Sequence, residues 1–164
     1  MNQDILRSVG NIGAILKEKS QTIAIAESSS GGLISAHLLS LPGASSYFLG
    51  GSVIYTRYAG RSFLRVTDDE MEGIRAATEE YAELNATRVR ELLGSTWGLS
   101  ETGATGPTGN RYGDPAGHSC IAVSGPVNKV ITLRTDSEDR QGNMIAFSIA
   151  ALDLLIDCVT EASS

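Results

Sequence analysis

Ile5, Val9, Ile12 and Leu16 step by four, three and four along the first twenty residues. That spacing places them on one stripe of an amphipathic helix running to about Lys19. Residues 22–26 (TIAIA) are an apolar run of strand length, and helical spacing resumes over 31–39 through Leu33, His37 and either Leu38 or Leu41. The first forty residues therefore predict helix, strand, turn, helix. Leu41, Pro42 and Gly43 break the second helix, and SSYFLGGSVIYT then predicts an extended segment in which Gly50 and Gly51 mark a bulge or a close backbone approach.

Thr67 with Glu70 forms a capping-box pattern for a short helix, and Thr78 precedes a longer one whose stripe is Ala82, Ala86, Val89 and Leu93, closed by Gly94. Leu99 begins a further strand. Residues 102–117 (TGATGPTGNRYGDPAG) are nearly half glycine and proline, too punctuated for regular structure and too long for a simple hairpin turn. HSCIAVSG and NKVITLRT predict the two strands of a hairpin. A final helix over about 139–159 lays Met144, Phe147, Ala151, Leu155 and Cys158 on one side. The order gives about five strands and at least four helices: an α/β protein with a mixed sheet covered on both faces, read as a single domain over 1–164.

Composition changes this picture little. At 164 residues with 41% hydrophobic and 20% charged positions, the chain is an ordinary globule able to bury roughly 70% of its unfolded surface. The net charge of −6 repels polyanions, so no nucleic-acid or anionic-membrane partner is expected, although a small anion can still be held locally. Cys120 and Cys158 are too few for a disulfide framework or a zinc site and are expected to be small buried hydrophobes. His37 and His118 have no metal-ligand spacing, so no metal and no cofactor are expected. The N-terminal stretch has neither a signal-peptide core nor a spanning apolar run, which gives a cytoplasmic expectation.

The candidate chemistry sits where the first strand ends. AESSSGG, residues 26–32, places a carboxylate, three hydroxyls and two glycines after a buried strand, where open sheets bind ligands. A hydroxyl on such a turn, with free backbone N–H groups at the next helix start, suits an anion or a developing oxyanion. The plainer alternative makes Ser29 or Ser30 a helix cap and Ser28 a turn residue.

AESSSGGLISAHL, then LPGASSYFLGGSVIYT, then TGATGPTG with Pro-Ala-Gly, resembles the C-terminal domain of the CinA competence and damage-inducible family, whose usual forms are AESCTGG, PGSSAYFLGGVVAYSN and TGIAGPGGG. The resemblance runs in order over nearly the whole chain and implies a three-layer α/β/α domain. It also implies an amidase that hydrolyses the carboxamide of nicotinamide mononucleotide to nicotinic acid mononucleotide and ammonia, within a homo-oligomer. By position, Ser28 would be the nucleophile and Tyr55 an active-site hydroxyl. Ser45, Thr102, Gly31, Gly32, Gly103, Gly106 and Arg140 would contact the small nucleotide or amide ligand, Arg140 as its cation.

Two positions depart from the family pattern. Where the family places a lysine five residues after the tyrosine, as the base partner of the serine, this chain has Gly60. Arg61 is a poor base because guanidinium does not readily deprotonate, and Tyr58 would need a strongly lowered pKa. Glu101, just before Thr102, is the possible replacement base: a carboxylate at a buried strand end close to Glu27. Met144 stands where the family often has a second basic residue. An impaired or substrate-altered relative that binds a pyridine nucleotide or another small anion is the alternative.

Overall fold

The structure, a computed structural model, describes residues 3–164. Its elements run α1 (Gln3–Glu18), β1 (Ile23–Glu27), α2 (Leu33–Leu39), a 3-10 turn (Ala44–Ser46), β2 (Phe48–Val53), α3 (Arg57–Leu64), α4 (Glu79–Leu93), β3 (Trp97–Ala104), β4 (His118–Ser124), β5 (Lys129–Arg134) and α5 (Arg140–Glu161). The strands form one mixed sheet in the order β2-β1-β3-β4-β5. β1 pairs in parallel with β2 and β3, and the β3-β4 and β4-β5 pairs are antiparallel. The ends of the central parallel strands β1 and β3 therefore open on the same edge of the sheet.

Period-2 alternation decides what each strand gives to each face. Ile23 and Ile25 of β1, Leu99 of β3 and Ile121 and Val123 of β4 join the larger core, which includes Val9, Ile12 and Leu16 of α1, Ile34 and Leu38 of α2 and Leu152 and Leu155 of α5. The intervening residues Ala24, Ala26 and Ala122 are small and face α4, packing with Val89 on one side and with Ala82 and Ala86 on the other. Small residues on that face let α4 lie close. At Gly98 a Cβ would stand 2.0 Å from the Ala86 carbonyl oxygen. The apolar length of α5 is enough to cross a membrane by composition alone, but here Phe147, Ala151, Leu152, Leu155, Cys158 and Val159 are buried in the core.

The mixed sheet, the covered faces and the closing hairpin match the sequence expectation, as do the two buried, unpaired cysteines. Both readings of Gly50–Gly51 are realised. The β1-β2 register slips between Ile23 and Ala24, whose partners are Phe48 and Gly50, and a Cβ on Gly51 would meet Ser35 Oγ at 2.7 Å.

Two expectations need correction. The Thr67–Glu70 box forms, with Thr67 N donating to Glu70 at 2.8 Å and Glu70 N to Thr67 Oγ1 at 3.3 Å, but it opens a run of turns rather than a helix. Conversely, α3 lies in a segment for which the sequence pattern assigns no element. Thr56 caps it by accepting from Ala59 N at 3.1 Å, a start signal masked by Gly60 and by the helix's short length.

The α4–β3 contact gives a direct test. Gly98→Ala should destabilise the fold by at least the ~1–3 kcal/mol typical of overpacking, because the obstructing atom is backbone. Urea denaturation read by circular dichroism should show a lower midpoint, whereas Gly10→Ala, which meets nothing within 4 Å, should not.

Candidate active site

Alternation along β1 and β3 sends Glu27 and Glu101 to the same side as Ile25 and Leu99, beneath the serine turn and α2. Both carboxylates are fully buried there and both are surrounded by donors. Glu27 receives Ser30 Oγ at 2.7 Å and Ile34 N at 3.1 Å on one oxygen, and Ser35 N at 3.0 Å and Ser35 Oγ at 2.7 Å on the other. It caps α2 from the preceding strand. The local N-cap, Gly32, has no side chain to do so and sits at φ 102°.

Glu101 receives Ser28 N at 3.1 Å and Ser30 N at 2.8 Å on Oε2, and Ser29 Oγ and Ser119 Oγ, the latter at 3.2 Å, on Oε1. Four acceptor positions are thereby filled on each carboxylate. The string ESSS therefore holds one of the two buried acids and two hydroxyls, of Ser30 and Ser29, that satisfy Glu27 and Glu101 in turn, with Ser28 left to the cleft.

This network corrects two expectations. The first free N–H groups of α2 do not face a ligand, because Glu27 takes those of Ile34 and Ser35, while Gly31 N and Leu33 N donate to the carbonyls of Ser28 and Ser30. Glu101 is a turn anchor rather than a spare base. Its side chain lies on the α2 side of the sheet, whereas Thr102, the next residue, points to the α4 side and borders the cleft.

The cleft itself, about 420 Å³, opens between the ends of β1 and β3 and the start of α4. Ser28, Tyr55, Thr102, Tyr81, Arg57 and Arg111 are among the residues lining it. A second lobe of about 200 Å³ shares Tyr55, Gly103 and Asn110 with the first and is bordered by Ser29, Gly106 and Arg140. Ser28 is 9% exposed and Tyr55 59%. The Arg140 guanidinium links the lobes, donating to Gly106 O at 2.7 Å and to the Tyr55 hydroxyl at 3.1 Å. Among the described residues, no Asp, Glu, His or Lys lines the Ser28 lobe.

Of the residues named from sequence, Ser28, Tyr55, Thr102, Gly103, Gly106 and Arg140 therefore border one continuous cleft. Thr102 Oγ1 also accepts from Ala77 N at 3.1 Å, so its hydroxyl holds the approach to α4. Gly31 and Gly32 shape the turn instead of lining the cleft, both with positive φ, and a Cβ on Gly31 would strike the Met144 methyl at 2.8 Å. Ser45 is not brought to the site. It lies in the 3-10 turn before β2, where Tyr47 O accepts from Ile23 N at the start of β1, the opposite end of the strand from Ser28.

The sequence reading missed the residues that shape the long loop. Asp114 receives both Arg75 Nη1, at 2.6 Å, and Nη2, at 3.1 Å, and its other neighbours are Asn110 Nδ2 at 2.8 Å and His118 Nε2 at 3.8 Å. Asn143 of α5 donates to Thr105 O and Ser137 O, each at 2.8 Å, tying the loop's first residues to the last helix. These two clamps hold Arg111 and Tyr112 at the rim of the cleft. Only the Asn-x-x-x-Asp spacing of 110 and 114 hinted at such a turn.

An α/β/α domain with a serine turn opposite a tyrosine across a cationic cleft defines the class. The family model of the CinA C-terminal domain matches residues 7–159, and the chain belongs to that family. A CinA-like protein of Nostoc is 34% identical over 166 residues, covering 94% of this chain, and one of Acaryochloris marina is 39% identical over 125 residues, covering 76%. The chain spans 39% and 29% of the length of those two relatives. Among solved structures, a CinA superfamily protein of Klebsiella pneumoniae superposes with a TM-score of 0.89 at 20% identity over 98% of this chain and 99% of its own, which shows the shared fold. The competence/damage inducible protein CihA of Agrobacterium tumefaciens gives 0.85 at 25% identity, covering 94% and 95%.

Two measurements probe this arrangement. Glu101→Gln replaces an acceptor oxygen by a donor among four donors, and should cost about 2–4 kcal/mol in a denaturant titration while leaving Glu83→Gln, on exposed α4 surface, neutral. The Asp114 carboxyl is held below its ordinary value chiefly by its hydrogen bonds from Arg75, with burial opposing. A lowered folded-state pKa contributes stability that is complete above the unfolded value near 3.8 and is lost as pH falls through the folded one. The melting-temperature gap between the wild type and Asp114→Asn should therefore be constant near neutrality and shrink below about pH 4.

Proposed function

We propose that this chain is a serine-dependent amidohydrolase acting on the carboxamide of nicotinamide mononucleotide, releasing ammonia and nicotinic acid mononucleotide. The observation that carries the reading is the placement of Ser28 and Tyr55 on one cleft, with Arg140 bridging to its second lobe. Ser28 Oγ would attack the amide carbon, its proton passing through the cleft to the departing nitrogen as the C–N bond breaks. Water then attacks the acyl-serine ester, restores the hydroxyl and leaves the carboxylic acid. Arg140 can hold a phosphate while orienting the Tyr55 phenol. A cytoplasmic location, where such a nucleotide occurs, fits this reading.

The absence of an Asp, Glu, His or Lys along the described lining of the Ser28 lobe favours a second reading, a relative that binds the nucleotide with little turnover. General-base assistance contributes typically ~10²- to 10⁴-fold, so the first reading requires a slow enzyme. The two are separated by ammonia release from nicotinamide mononucleotide. The amidase reading expects a slow rate abolished in Ser28→Ala, and equal rates for the two proteins contradict it. Stabilisation of the fold by the nucleotide without any ammonia supports the binding reading.

Gly60 offers a gain-of-function test. A Cβ there would be 3.5 Å from the Tyr81 hydroxyl, an ordinary contact, in a helix at normal φ. Gly60→Lys should therefore fold and, on the amidase reading, raise the rate by about 10²-fold or more. A folded variant with no increase counts against a Ser28 nucleophile awaiting a base.

A further inference from the structure

The sheet face beneath α4 is built mostly from small residues: Ala24 and Ala26 of β1, Gly98 of β3 and Ala122 of β4. Two polar side chains interrupt this contact. Asn85 of α4 and Ser100 of β3 are both fully buried, and neither the Oδ1 and Nδ2 atoms of Asn85 nor the Oγ of Ser100 has a hydrogen-bond partner among the described residues. Buried polar groups are nearly always partnered, because one left bare forfeits its hydration.

The two side chains lie at one level of the helix–sheet contact. α4 runs antiparallel to β3: Ala77 N, just before the helix, donates to Thr102 Oγ1 at 3.1 Å, whereas a Cβ on Gly98 would meet Ala86 O at 2.0 Å and Arg90 Cβ at 2.8 Å. Ser100 is halfway between Thr102 and Gly98 and shares their face by alternation. Two strand residues rise about 6.6 Å and one helical turn about 5.4 Å, so one turn back from residues 86–90 brings Asn85 over Ser100. Asn85 is turned inward with Ala82, Ala86 and Val89, all of which pack on the sheet. The ladder neighbours of Ser100 are Ala26 and Ala122, whose short side chains leave room around its hydroxyl.

We infer that Asn85 and Ser100 hold an internal water between α4 and the sheet. Water is the ligand whose chemistry fits: it donates and accepts, as a carboxamide and a hydroxyl together require, and it is stably held by two to four polar partners. The site lies directly behind the Ser28 lobe. Ser28 and Thr102 stand two residues further along β1 and β3 than the paired Ala26 and Ser100, Tyr81 stands one turn before Asn85, and all three line the lobe. The floor beneath Ser28 is thus backed by a hydrated pair rather than by apolar packing, and this water stays in place when a ligand covers the lobe from the front. The site needs neither a nucleotide nor turnover, so it stands apart from the amidase reading.

A high-resolution crystal structure of the full chain should show a water within hydrogen-bond distance of the Asn85 carboxamide and of Ser100 Oγ. A direct Asn85–Ser100 bond without water, or both side chains satisfied by main chain, overturns the proposal. Two variants give an independent measure. Asn85→Leu and Ser100→Ala each strip partners from a shared water and should each lower the urea midpoint. The double variant removes every polar atom of the site, so its midpoint should lie above the value expected from adding the two losses. In oxygen-17 relaxation dispersion the double variant should carry about one long-lived internal water fewer than the wild type. Losses that simply add, or an unchanged count of internal waters, contradict the site, and if the double variant does not fold the wild-type structure decides.

Discussion

The site depends on two carboxylates buried under one turn. Glu27 ends β1 and Glu101 follows the last β1-paired residue of the neighbouring parallel strand β3; both point to the same side of the sheet and would repel one another and the surrounding core if left bare. Eight donor contacts from the serine turn, the start of α2 and β4 converge on them, and these contacts fix the backbone of residues 28–35. Ser29 and Ser30 are consumed in that role. Ser28 is presented to the cleft because its neighbours are held from below.

Much of the framework was legible in the chain. The four-three-four stripe of α1, the apolar run of β1 and the paired strands of the hairpin each have one period and one neighbour, so local pattern suffices. The anchoring role of Glu101 is not legible in the sequence because three of its donors lie 71 to 73 residues away in Ser28, Ser29 and Ser30, and no local signal shows which face of the sheet a strand residue will take relative to a distant turn. The same alternation that hides Glu101 on the α2 side puts Thr102 beside the cleft. Ser45 was misplaced for a related reason: proximity in sequence to β2 says nothing about which end of β1 it will adjoin.

The cleft's cations were least legible. Arg57 opens a helix masked by its own glycine, and Arg111 sits in a loop whose shape depends on Arg75, Asp114 and Asn143 from three separate parts of the chain. Together these residues border the serine-and-tyrosine cleft with guanidinium groups, Arg57 and Arg111 in one lobe and Arg140 in the other. A Cβ at Gly60 would stand 3.5 Å from the Tyr81 hydroxyl, an ordinary contact, so the packing of α3 on α4 leaves room for a side chain to start there.

Native-state amide hydrogen exchange at Ser28, Ser30, Ile34 and Ser35 tests the carboxylate anchor most directly, since these four N–H groups are the backbone donors to Glu101 and Glu27. If the anchors hold the turn as described, all four exchange only with opening as costly as that of the β1 core amides. Exchange of these amides at the rate of the exposed loop around Arg111 and Gly113 would show that the turn is not fixed from beneath.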